Sequence, residues 1–325
     1  MGLSTYQIVA LGSLPGVGKQ SILKVGRYCQ DNMDPMILSE VLSKYSIKKK
    51  SPEGNKIPIT IDDLNDAFET ASRLLSQSNT LGIKAISYYD PSFPQSLRDT
   101  KSENGKRSDP PIILFYKGNI KALSSPGLAV IGTRENTPGA EKAGIYLAEE
   151  FAKRGFCIVS GLALGCDTIG HRGALKAGGR TIAFLAHGLD TIYPAQNKKL
   201  AEEIIANEGL LLSEYPIGIS VSRYNLVARD RLQAGLSLAT LVIQTGIKGG
   251  TMHAAITTAN AGKPLFVVKY SDKETDGHEK TQGNHFLVTK YHAQYITGKD
   301  DLDNIAASIK KRSNPTKPVQ KTLLG

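Results

Sequence analysis

The sequence predicts an α/β protein: an extended Rossmann-like, doubly wound, mainly parallel sheet with a small helical N-terminal domain. Three observations carry this. The runs "GLAVIG", "FCIVSG", "RTIAFLA", "GLLLSEY", "ATLVIQTG" and "KPLFVVK" are short and apolar. Helical segments of about 15 residues separate most of them, as in βαβ units. The first 80 residues read instead as short helices.

In chain order, "STYQIVALGSL" and "QSILKVGRYCQDN" read as helices flanking "PGVG". The stretch "LGSLPGVGKQSILKV" resembles a helix–hairpin–helix element, whose turn can aim backbone N–H groups at a nucleic-acid phosphate; a tight turn between two helices accounts for it equally well. "KYSIKKKSPEGNKIP" reads as a charged loop. "IDDLNDAFETASRLLSQSNTLG" has helical periodicity, with Asp62 and Asp63 near its start and Gly82 past its end. "IKAISYYD" and "PIILFYKG" are extended pieces around an exposed loop. "HAQYITGKDDLDNIAASIKK" closes the sheet with a short strand and a helix. The expected domains are a helical, helix–hairpin–helix-like unit over 1–82, a Rossmann-like unit over 83–309 with its core at about 125–298, and a basic disordered tail over 310–325.

With 325 residues, 40% of them hydrophobic, the chain can bury a sizeable interior. It has no run of 18 apolar residues for a membrane span. Its N-terminus lacks a basic region and a clean cleavage site, so no signal peptide is read. Tyr6 stands where an acylation motif at Gly2 needs Ser or Thr. Cys29, Cys157 and Cys166 form no C-x-x-C pair, a usage expected of a reducing, cytoplasmic setting. His285 and His292 lack ligand-spaced neighbours, so no metal is expected. The net charge is +10, and five of the excess basic residues fall in 310–325. Bulk charge therefore permits nucleic-acid binding without arguing strongly for it.

Ligands of a doubly wound sheet bind at the C-terminal strand ends. There, Gly132, Thr133 and Arg134 follow the first core strand, and Ser160 and Gly161 the second. Gly249, Gly250 and Thr251 open a later helix. Glycines let backbone N–H groups approach an anion, hydroxyls add donors, and arginine grips phosphate with two prongs. The dinucleotide reading fails, because the strand that should end in an acid ends "FLAHGLD", and the loop reads S-G-x-A-x-G. No G-K-[ST] or G-x-S-x-G is present, and no cofactor is expected. Asp167 and His171 lie four apart, as an acid–base pair or, more commonly, as capping and packing groups. Glu214 ends a strand and can face the same crevice. Arg223, Arg229 and Arg231 read as a basic rim just before a helix, or as a solvated turn.

These pieces in this order resemble the family of the DNA-processing protein DprA, also called Smf. "SLPGVGK", "GIKAISYYDPSFPQSLRD", "LAVIGTRENTPGA" and "RDRLQAGLSLATLVIQTG" contribute, and the block from Ser160 to Pro194 is the most specific. The resemblance implies single-stranded DNA binding, protection of incoming strands during transformation, help in loading RecA recombinase, and a homodimer. It implies binding rather than turnover. DNA contacts would fall on Arg134, on the Ser160–Gly161 loop and on Arg229 and Arg231, with Asp167 and His171 as scaffold. Three departures stand out. Thr133 replaces the family's usual serine, Asp230 sits where the family usually has asparagine, and "KGGTMHAA" replaces S-G-S-L-I-T-A. The last leans toward the glycine-threonine loops of the related LOG phosphoribohydrolases. Many members carry a C-terminal winged helix, for which no room follows Ile309. A second reading keeps the fold but makes the chain a nucleotide sensor or LOG-like hydrolase, with Asp167 or Glu214 as acid–base group. "IKGGTMHAA" lacks the proline and glutamate of the LOG loop, which argues against it.

Overall fold

The computed structural model describes residues 2–29, 33–102 and 104–312. Of the expected tail, 313–325 lie outside the described residues, and Lys311 ends a helix.

The N-terminal unit packs helices α1 (Thr5–Ser13), α2 (Lys19–Gly26), α3 (Pro35–Lys44) and α4 (Ile61–Thr80). Their starts follow from the sequence. Ser4 with Gln7 and Thr60 with Asp63 form reciprocal capping boxes, and Asp34 caps α3 ahead of Pro35. Leu11, Ile22, Leu38 and Leu64 meet in one core. The stretch "KYSIKKKSPEGNKIP", expected as a loop, is instead a hairpin of β1 (Lys48–Lys50) and β2 (Lys56–Pro58). Three consecutive lysines give no apolar alternation to read. The backbone makes the strand, and the Lys50 N–H also donates to Pro15 O at 2.7 Å.

The sheet contains β3 (Lys84–Ser87), β4 (Ile113–Gly118), β5 (Gly127–Ile131), β6 (Cys157–Ser160), β7 (Thr181–Leu185), β8 (Leu210–Ser213), β9 (Ala239–Val242), β10 (Leu265–Val268) and β11 (Gln294–Ile296). Its order is β11-β10-β9-β5-β6-β7-β8-β4-β3. Only the β8–β4 and β4–β3 pairings are antiparallel. All six apolar runs are strands, and the expected doubly wound α/β fold is borne out. Between and after the strands lie α5 (Gln95–Arg98), α6 (Pro138–Lys153), α7 (Cys166–Lys176), α8 (Lys198–Ala206), α9 (Arg223–Leu236), α10 (Gly250–Asn260), α11 (Lys273–Gly277), α12 (Gln282–Tyr291) and α13 (Leu302–Lys311).

Side chains alternate between two buried faces, which is why the strands read as continuous apolar runs. Leu128, Val130 and Ile158 join Leu147 and Phe151 of α6 in one core. Val159 and Phe184 pack with Leu232 of α9 on the opposite face. The chain steps from β5 outward to β8, then returns to the other side of β5 as β9. The topological switch point therefore lies between β5 and β9, where loops diverge and leave a crevice. Among the described residues no helix is long and apolar enough to cross a membrane.

Candidate nucleic-acid interface

A cleft of about 480 Å³ opens at this switch point. Its walls come from three directions: Gly132–Arg134 after β5, Lys248–Thr251 at the start of α10, and Arg223, Leu226 and Val227 on the first turns of α9. The β5 loop is pinned from both sides. The Thr133 N–H donates to Gln244 O at 2.7 Å, and the Cys166 N–H donates to Thr133 O at 3.0 Å. A Cβ at Gly132 would collide with Cys166 Sγ and Gln244 O, so close packing alone requires glycine there. Gly249 has φ 124° and starts α10 with no side-chain cap. The first-turn amides of a helix have no intrahelical acceptor, and its N-terminus favours an anion. Arg134, Arg223 and Lys248 are exposed around this opening.

The floor is a buried charged network. Arg229 Nη1 donates to the Phe184 carbonyl, and its Nε lies 3.1 Å from Asp230 Oδ1. Burial pushes the Asp230 carboxyl up to about 6; Arg229 opposes the rise and Asp167 adds to it. Burial likewise raises Asp167, against the pull of Arg229. The Asp167 carboxylate accepts from the Gly161 N–H at 3.1 Å and the Ala163 N–H at 3.3 Å. His171 completes the same loop: its Nε2 accepts from the Leu162 N–H at 3.3 Å, and Nδ1 lies 2.7 Å from Thr181 Oγ1. Thr181 Oγ1 donates its own proton to Ile158 O, so Nδ1 is the protonated nitrogen and the ring is neutral. Burial, with Arg229 nearby, holds His171 down at about 3.

The structure thus separates the expected site residues. Gly132, Thr133, Arg134, Gly249, Gly250 and Thr251 converge on the cleft. Ser160 and Gly161 do not line it. Ser160 is fully buried and donates to Val130 O at 2.6 Å, while the Gly161 N–H is taken by Asp167. A Cβ on Gly161 would strike the Arg229 guanidinium, so this glycine makes room for an arginine. The R-D-R arginines do not precede a helix but lie inside α9, both buried. At about 100° per residue, two positions along the helix turn the side chains to different sides. Arg229 reaches the cleft floor. Arg231 pairs with Glu214 and Asp109, each at 2.7 Å, which also draws Glu214 away from the cleft. The third rim cation, Lys248, was missed in the sequence. Its only signal is its place directly before the glycine pair.

Residues 84–306 match the model of the family described as DNA recombination-mediator protein A. The chain belongs to the DprA/Smf family. The resemblance read from the sequence is therefore borne out. DNA processing protein DprA of Streptococcus pneumoniae is 31% identical over 292 residues, 89% of this chain and 96% of that one. Protein Smf of Escherichia coli is 33% identical across 73% of this chain, and that of Synechocystis is 39% identical across 58%. The chain spans only 59% and 46% of those two proteins. Among solved structures, the S. pneumoniae DprA crystal structure superposes with a TM-score of 0.73 at 26% identity, covering 94% of this chain and 98% of that one. DprA of Helicobacter pylori, whose structure is described for its single-stranded DNA binding mode, gives a TM-score of 0.59 at 34% identity, over 70% of this chain and 96% of that one.

Proposed function

We propose that this DprA-family chain binds single-stranded DNA in the switch-point cleft. The observation that carries the reading is the convergence of three exposed cations, Arg134, Arg223 and Lys248, on the uncapped N-terminus of α10. Backbone phosphates sit at the Gly249–Thr251 amides and beside Gly132–Thr133, where small residues allow close approach, and the exposed cations neutralise them. Arg229, Asp167, His171, Ser160 and Gly161 hold the floor and the neighbouring loop in shape. The single-stranded DNA binding of the H. pylori relative supports this choice of ligand. On the same family grounds the chain acts in the cytoplasm as a homodimer, protects strands taken up in transformation and passes them to RecA. Its role is binding rather than catalysis: Asp167 is committed to loop amides and Glu214 to Arg231.

Fluorescence anisotropy tests the reading. A labelled single strand should bind more tightly than the matching duplex or free nucleotides, and Arg134→Ala should weaken it tenfold or more. Equal affinity of Arg134→Ala and wild type removes the site. Preference for a mononucleotide transfers the cleft to the sensor or hydrolase reading.

A further inference from the structure

The N-terminal unit carries a second concentration of positive charge, away from the cleft. Between residues 12 and 28 and between 44 and 58 the chain has eight basic residues and one acid, Glu53. Two of the eight pair with carboxylates, Lys19 with Asp109 and Lys49 with Asp63. The other six, Lys24, Arg27, Lys44, Lys48, Lys50 and Lys56, are exposed. In the hairpin register Lys50 stands directly opposite Lys56. Like charges facing each other across an antiparallel pair oppose folding. The stem of Lys50 lies over Gly16 of the "PGVG" turn, where a Cβ would collide. The hairpin lysines and that turn therefore belong to one face.

An aromatic platform completes the face. The rings of Tyr28 and Tyr45 stack at 4.2 Å with an interplanar angle of 16°, and Tyr28 is 58% exposed. Lys24 Nζ donates to Tyr45 O at 3.2 Å, and Lys44 Nζ lies 6.0 Å from the Tyr45 ring centroid. Lysines beside an exposed, pre-stacked aromatic pair suit a polyanion with flat apolar groups: phosphates for the lysines, an unpaired base for the ring. A duplex keeps its bases stacked on one another and offers no face to Tyr28.

The face also adjoins the cleft helix. Lys19, at the start of α2, pairs with Asp109, and Asp109 pairs with Arg231 of α9. Gln20 of α2 donates to Ser108 O at 3.4 Å, on a loop that exposes Lys106 and Arg107 between the two regions. The first turns of α9 line the cleft.

We propose that the N-terminal unit is a second single-stranded nucleic-acid site, in which Lys24, Lys44, Lys48, Lys50 and Lys56 hold phosphates and Tyr28 stacks a base of a strand already held in the cleft. This rests on the cleft reading, and the experiment separates the two. Anisotropy is measured over a range of salt with oligothymidine of about six nucleotides, enough for one site, and about thirty, enough for both. The variants are Lys48→Gln/Lys50→Gln/Lys56→Gln, Tyr28→Ala and Arg134→Ala. The lysine variant should leave the short strand unchanged and weaken the long strand tenfold or more. It should also flatten the salt slope for the long strand by about 2, at about 0.7 per lost phosphate contact. Its melting temperature should hold or rise, because the Lys50–Lys56 repulsion is gone. Tyr28→Ala should weaken the long strand at least fivefold with the salt slope intact. Unchanged affinity and slope for the long strand in the lysine variant overturn the inference, even while Arg134→Ala weakens both lengths. Loss confined to a duplex probe overturns it as well. If Arg134→Ala changes neither length, the cleft reading itself has failed.

Discussion

Asp230 offers a perturbation whose size follows from the structure. Its carboxylate lies on the cleft floor, 3.1 Å from Arg229 on its own helix. Asp167 of α7 and His253 of α10 also act on it electrostatically, and Arg223 and Lys248 line the same cleft. Burial pushes its carboxyl up to about 6. At about pH 7.5 the free protein therefore holds it ionised, and an arriving phosphate meets that charge. A bound phosphate raises the carboxyl further, so binding takes up a proton and affinity grows as pH falls toward 6. If the bound form is fully protonated, the difference at about pH 7.5 is roughly 1.5 units, or about 2 kcal/mol and about thirtyfold. Asp230→Asn keeps the shape and removes the charge. Anisotropy titrations should find this variant up to about thirtyfold tighter than wild type at about pH 7.5, and within about twofold at about pH 5. A ratio that does not change with pH, or weaker binding by Asp230→Asn at neutral pH, would refute this account of the floor.

Three further outcomes follow from the same network. His171 is neutral and held at about 3 against an ordinary 6.5, so the unfolded chain takes up the proton first as pH falls. Stability is complete above about 6.5 and falls by about 4–5 kcal/mol toward pH 3, an acid-side slope that urea midpoints should show and that His171→Gln should flatten. Arg231→Met strands Glu214 and leaves Asp109 with Lys19 alone, both carboxylates being partly exposed, and should cost about 2 kcal/mol in urea unfolding while leaving single-strand affinity within about twofold. Gly161→Ala should cost about 1–3 kcal/mol in thermal unfolding by displacing the Arg229 guanidinium; an unchanged melting temperature contradicts that packing.

The strands and the loops that end them were legible because burial on both faces of a parallel sheet leaves an apolar run, and each run here stops at a glycine or a polar residue. The cleft walls were legible for a related reason: small residues at strand ends are local features. What the arginines do was not. Whether Arg229 or Arg231 faces the cleft depends on α9 beginning at Arg223, and on partners far along the chain. Arg229 bonds a carbonyl 45 residues away, and Arg231 bonds one 122 residues away. Gly161 misled for a similar reason, since a glycine that admits a guanidinium and one that admits a phosphate are identical in sequence. The lysine hairpin escaped because backbone hydrogen bonds, rather than an apolar face, define it.

The most direct test of the central claim is the salt dependence of single-strand binding by wild type and by Arg134→Ala/Arg223→Ala/Lys248→Ala, using a strand short enough to occupy the cleft alone. If these three side chains each neutralise a phosphate there, the slope of log affinity against log salt should fall by about 2 in the triple variant. A triple variant with the wild-type slope and affinity would place the DNA elsewhere on the molecule.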